Sequence, residues 1–122
     1  MRFLLDSAIV IDHLNGIQPA TEFLRLHGDL SAISIMTRAE VLAGCDEARE
    51  PPVRALLDHF PSLPLTVEIA DLAAKLRRSE RFKLPDAFQA AVAAHHDLTL
   101  VTRNTRDFQP GGPCSVLIPY RV

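Results

Sequence analysis

The sequence predicts an α/β fold of three layers, a central parallel sheet of four to five strands held between helices. Two observations carry this. Short apolar runs, some β-branched and bounded by polar or turn residues, recur along the chain as buried strands do. Between them lie stretches with apolar residues at helical spacing, so that strands and helices alternate, the pattern of a parallel sheet covered on both faces. With 122 residues, the chain is expected to form a single domain over 1–122.

Phe3-Leu4-Leu5 is the first predicted strand, ended abruptly by Asp6 and Ser7. A helix is expected from Ser7 to Leu14, capped by Asp6 or Ser7 and stopped at Asn15-Gly16. Pro19 suits the first turn of a second helix that ends at His27-Gly28. Leu30 to Ile35 reads as the second strand, with Ile33 and Ile35 β-branched. Thr37 to Gly44 reads as a helix capped by Thr37, because Thr37-x-x-Glu40 fits a capping box. Glu47 to Pro52 is expected to turn and Val53 to Phe60 to be helical. Leu63-Pro64-Leu65 is a short strand at a sheet edge, since proline cannot donate to a ladder. Val67 to Glu80 is the most regular helix, with Ile69, Leu72, Ala73 and Leu76 in one stripe. Pro85 opens an Ala-rich helix, Asp86 to His96. Leu98 to Thr102 is a strand, Arg103 to Phe108 a polar connection and Pro110 to Pro113 a turn. Val116 to Ile118 is the last strand.

The composition narrows the function. A formal net charge of -2 gives no global attraction to nucleic acid, so binding to it needs a local basic patch or a metal. Lys75, Arg77, Arg78, Arg81 and Lys83 cluster, with Arg103 and Arg106 later, although a solvated helix face explains them more simply. Cys45 and Cys114 lie far apart without a metal-binding spacing and are expected to be reduced thiols of a cytoplasmic protein. No apolar run approaches a membrane span, so no membrane association is expected. Neither a P-loop nor a dinucleotide fingerprint is present.

Four acids fall where such a fold gathers groups, at the carboxyl ends of its strands. Asp6 ends the first strand, and Glu40 lies on the helix after the second. Asp86 opens the helix after Pro85, and Asp107 follows the Leu98 to Thr102 strand. Met36, Glu40 and Ala43 share a helix face, which directs Glu40 along an apolar stripe rather than into solvent. Each acid alone has an ordinary use as a cap or turn residue. Together in one cleft they repel, and a hard cation such as Mg²⁺ or Mn²⁺ relieves that conflict. Such ions activate water and clamp the oxygens of a phosphodiester.

In family order, the chain carries Phe3-Leu4-Leu5-Asp6-Ser7 with Ile11-Asp12, then Thr37-Arg38-Ala39-Glu40-Val41-Leu42-Ala43-Gly44. Leu84-Pro85-Asp86-Ala87 and Leu100-Val101-Thr102-Arg103-Asn104 with Asp107-Phe108 follow. Over nearly its whole length it thus resembles a PIN-domain ribonuclease, the VapC toxin of a type II toxin–antitoxin pair. The resemblance implies Mg²⁺-dependent (or Mn²⁺-dependent) cleavage of single-stranded RNA. It implies Asp6 and Asp86 as principal metal ligands and catalytic residues, with Glu40 and Asp107 completing the acidic set. Ser7, Thr102 and Asn104 would be secondary pocket members, and the fourth acidic place falls to either Asn104 or Asp107. Ser7 is expected to cap the first helix and leave Asp6 free for the ion. The partners implied are RNA, a VapB-like antitoxin that binds operator DNA, and a second copy in a homodimer.

Two alternatives stand beside it. A receiver-like phosphoacceptor domain would want an acidic pair after the first strand and a lysine after the last, where this chain has Asp6-Ser7 and Arg121. A catalytically inactive relative would bind RNA or antitoxin without cutting; intact Asp6, Glu40 and Asp86 argue against it.

Overall fold

The computed structural model describes residues 1–109 and 111–121. The chain runs β1 (Phe3–Leu5), α1 (Ser7–Leu14), α2 (Gln18–His27), β2 (Ser31–Ser34), α3 (Ile35–Ala43) and α4 (Glu50–Leu57). It continues β3 (Ser62–Leu63), α5 (Val67–Glu80), α6 (Leu84–His95), β4 (Thr99–Val101) and β5 (Val116–Leu117). The strands form one five-stranded sheet in the order β3-β2-β1-β4-β5, and every pairing is parallel.

Side-chain alternation along the strands sorts the core into two halves. Leu4, Ala32 and Leu100 face a core completed by Ile69, Ala73 and Leu76 of α5 and the alanines of α6. Phe3, Leu5, Ile33 and Val101 face the opposite way, against Ile9, Val10, Phe23, Val41, Val53 and Leu57. Both faces of β1 are therefore covered, which explains why Phe3, Leu4 and Leu5 are all buried without any polar alternation. Ala87, Ala90, Ala91 and Ala93 are fully buried, and their small side chains let α6 lie close to the sheet and to α5.

Three local expectations change. Ser34, not Thr37, caps α3: its Oγ accepts the Thr37 N–H at 3.1 Å. The helix thus begins at Ile35, which leaves the strand and is exposed despite its β-branching. The Pro51-Pro52 pair lies inside the first turn of α4 rather than in the preceding turn, where missing N–H groups cost nothing. β3 is Ser62–Leu63 and ends before Pro64, so Pro64 and Leu65 fall outside the strand, which does lie at the expected sheet edge. β5 is two residues long. Of the turn expected at Pro110 to Pro113, Pro110 lies outside the described residues, while Gly111 takes a left-handed φ of 83°. No helix among the described residues is long and apolar enough to cross a membrane.

The strand order places the site. From β1 the chain moves outward to β2 and β3, then returns across the sheet to β4 on the other side of β1. That reversal opens a crevice at the carboxyl ends of β1 and β4. Leu5 pairs in register with Val101, so Asp6 and Thr102 leave the sheet side by side.

Candidate active site

Asp6 is the N-cap of α1, and its Oδ1 accepts the Ser7 N–H at 2.8 Å. The expected division of labour, with Ser7 as cap and Asp6 free, is therefore wrong. The turn from strand into helix puts the extended backbone of a cap at Asp6, one residue earlier. The capping role does not exhaust the carboxylate. Its Oδ2 accepts the Thr102 hydroxyl at 2.7 Å, and Oδ1 also accepts Gln89 Nε2 at 3.4 Å. Donors from α1, the end of β4 and α6 thus fix one side chain.

Thr102 is fully buried and extends this chain of bonds. Its Oγ1 accepts the Asn104 N–H at 3.1 Å. Asn104 in turn holds Asp107 twice: Nδ2 donates to Oδ2 at 2.9 Å, and Oδ1 accepts the Asp107 N–H at 3.1 Å. The two expected candidates for the fourth acidic place are thus partners. Asp107 brings the charge, and Asn104 orients it.

Asp86 occupies the first turn of α6, just after Pro85, as the sequence predicts. Burial together with the negative charges of Asp107, Asp6 and Glu40 pushes its carboxyl up to about 6, against an opposing pull from Lys83. Glu40 is raised as well, by partial burial of its carboxyl and the charge of Asp6, while the Ser7 hydroxyl works in the other direction. As a residue Glu40 is exposed, contrary to the expected apolar stripe. The inward stripe of α3 runs through Thr37 and Val41, and Glu40 stands to one side of it.

Asp6, Glu40, Asp86 and Asp107 therefore come from four separate stretches and act on one another electrostatically. Among the described residues, however, no three His, Cys, Asp or Glu side chains form a ready-made metal cluster. The chemistry of the donor set still fits a hard divalent ion: all four acids offer carboxylate oxygens, the charges of Asp107, Asp6 and Glu40 oppose the ionisation of Asp86, and that of Asp6 opposes the ionisation of Glu40.

Chain comparison matches the PIN domain over residues 3–109. The chain belongs to the PIN-domain family. At 38% identity over 113 residues, this PIN domain is similar to ribonuclease VapC10 of Mycobacterium tuberculosis, across 86% of this chain and 84% of that one. Ribonuclease VapC19 of the same organism is 32% identical over 114 residues, 86% of this chain and 90% of its own. A chain of a toxin–antitoxin complex from Klebsiella pneumoniae superposes with a TM-score of 0.90 at 35% identity, with 98% of each chain covered.

Two groups of side chains around this PIN domain's crevice were missed in the sequence. Asp12, nearly buried on α1, accepts Arg103 Nε at 2.7 Å, Arg103 Nη2 at 3.2 Å and the Tyr120 hydroxyl at 2.7 Å. Arg103 is thereby committed to Asp12, which removes it from the basic cluster. The second group is Gln89 with Ser34 and Thr37. The one signal for it was a long polar residue in an otherwise Ala-rich helix.

Proposed function

We propose that this PIN domain is a divalent-metal-dependent endoribonuclease that cleaves single-stranded RNA and serves as the toxin of a toxin–antitoxin pair. One observation supports this most: four carboxylates from separate elements are gathered at the carboxyl edge of the sheet, where burial together with the charges of Asp107, Asp6 and Glu40 pushes Asp86 up to about 6. The similarity to VapC ribonucleases and to a chain from a toxin–antitoxin complex points the same way.

Asp6 and Asp86 would hold Mg²⁺ or Mn²⁺, with Glu40 and Asp107 completing the acidic set. When bound, the ion would lower the pKa of a water and stabilise charge on the phosphoryl oxygens. The chain's own residues set up the rest. Thr102 and the Ser7 N–H fix the two oxygens of Asp6, and Asn104 fixes Asp107. Glu40, with its raised carboxyl, is suited to take the proton from the attacking water. Water oxygen bonds to phosphorus as the bond to the 3′-oxygen breaks. The 3′-oxygen leaves with a proton, and the downstream fragment keeps a 5′-phosphate. No covalent intermediate is required. Burial raises the Cys114 thiol to about 11, which makes it a poor nucleophile at neutral pH.

The partners belong to the same proposal: RNA as substrate, a VapB-like antitoxin, a second copy in a homodimer, and operator DNA reached only through the antitoxin. The test is cleavage of single-stranded RNA with Mg²⁺, with EDTA, and by Asp6→Asn and Asp86→Asn. Loss of cleavage in the last three supports the assignment. Undiminished cleavage by either variant sinks it.

A further inference from the structure

Gln89 is buried, at 2% exposure, on a helix whose other buried residues are Ala87, Ala90, Ala91, Val92 and Ala93. Taking an amide out of water is unfavourable unless it is paired, and alanine would fill such a helix face without that cost. Here both ends of the amide are paired. Oε1 accepts the Ser34 hydroxyl at 3.0 Å, while Nε2 donates to Thr37 Oγ1 at 2.7 Å and to Asp6 Oδ1 at 3.4 Å. The amide thus turns its Nε2 toward Asp6 and its Oε1 toward the Ser34 hydroxyl.

Gln89 and its anchors lie on three separate parts of the site. Gln89 itself sits one helical turn after Asp86. Thr37 sits one turn before Glu40, and Ser34 caps the helix that carries both. Asp6 lies across the crevice. We infer that Gln89 is a positioning residue: its amide bridges α3 and α6 and sets the spacing of Asp6, Glu40 and Asp86. This rests on the nuclease reading above, in which those three carboxylates hold the ion.

The test compares wild type with Gln89→Met, which keeps the length of the side chain but pairs with nothing. Thr37→Val, which removes the nearer acceptor of Nε2 together with the 3.4 Å contact from the Ser34 hydroxyl but leaves the Ser34 cap on the Thr37 N–H intact, is the second variant. Unfolding midpoints set a working temperature at which all proteins are folded. Mn²⁺ affinity is then measured calorimetrically without RNA, and kcat and KM are measured separately. Supporting residues of this kind govern metal affinity and rate by about 10–100-fold. Gln89→Met is expected to weaken Mn²⁺ binding and lower kcat by about tenfold with KM nearly unchanged, and Thr37→Val to shift both the same way by less. Lowered stability with kcat and Mn²⁺ affinity within about twofold of wild type would make Gln89 a core amide and overturn the inference. If Gln89→Met does not fold, unchanged values in Thr37→Val overturn it equally. A wild-type protein that neither binds Mn²⁺ nor cuts RNA overturns the nuclease reading itself, and this inference with it.

Discussion

Replacing Arg103 by alanine should destabilise the protein far more than loss of a surface ion pair would. The partner of Arg103 is Asp12, whose side chain is 8% exposed, whereas the Arg103 side chain is 38% exposed. Breaking a fully buried pair costs about 3–5 kcal/mol, since one charge is left without compensation. Exposed pairs are worth about 0–1 kcal/mol. This pair lies between, with the carboxylate covered and the guanidinium half open, and Tyr120 still donates to Asp12 after the substitution. The expected loss is about 2 kcal/mol, or roughly 8 °C in Tm for a chain of this size. Urea denaturation at pH 7 measures it. The pH dependence gives a second check. Burial raises the Asp12 carboxyl, but the bonds from Arg103 and Tyr120 outweigh it and the net shift is downward. A carboxylate with a depressed pKa in the folded state stabilises above its unfolded value of 3.8 and loses that contribution as pH falls through the folded value. Wild type should therefore lose stability below about pH 4 more steeply than Arg103→Ala. An Arg103→Ala protein within about 0.5 kcal/mol of wild type at pH 7 would refute the reasoning.

Asp86 should show the opposite slope. Its raised carboxyl means that the folded chain holds a proton the unfolded chain has released, so cation-free stability falls as pH rises from 3.8 to about 6. Above that window, Mn²⁺ at 100 times its Kd should restore about 2.7 kcal/mol, roughly 10 °C in Tm, and Asp86→Asn should lose that response. Equal Mn²⁺ shifts for wild type at pH 4.5 and pH 7.5, or a full shift in Asp86→Asn, would contradict it. Asp107→Asn should reduce cleavage by about 100-fold and Asn104→Ala by about tenfold, because one brings the charge and the other only orients it. The reverse order, measured as kcat on a fixed RNA, would exchange their roles. Thr102→Val keeps the shape but removes the 2.7 Å bond to Asp6 and should cost about 1–2 kcal/mol in urea denaturation; no measurable cost would show that Asp6 does not depend on that donor.

Local signals carried much of this molecule. The stripe of α5 gave its limits, Val67–Glu80, because apolar spacing and a charged opposite face agree, and the structure adds Thr66 as its cap. Pro85 marked the start of α6 and put Asp86 in its first turn. Local signals failed where two of them competed. Ser34 and Thr37 stand three residues apart, both able to cap, and the β-branched Ile35 argued for more strand. The choice fell to Ser34, whose hydroxyl also reaches Gln89 on a distant helix. Contacts of that kind leave no periodic trace. Asp12 meets residues 91 and 108 positions later, and Gln89 meets one 52 positions earlier. The side chains that bear charge at the site could be read one by one, and so could Thr102 and Asn104, which hold two of them; Gln89, whose partners lie far off in the chain, could be seen only after the chain had closed.

The bonds to Asp6 also have a consequence for when the acidic cleft can assemble. Asp6 is synthesised before its partners Gln89 and Thr102, which lie 83 and 96 residues downstream. β1 has β4 as one of its two neighbours in the sheet, so until α6 and β4 leave the ribosome the strand that carries Asp6 has an open edge. Interrupted translation upstream of β4 yields fragments with the first acid but without the frame that orients it. For a protein proposed to cut RNA while being made from RNA, the fold itself delays the assembled cleft until α6 and β4 have been translated.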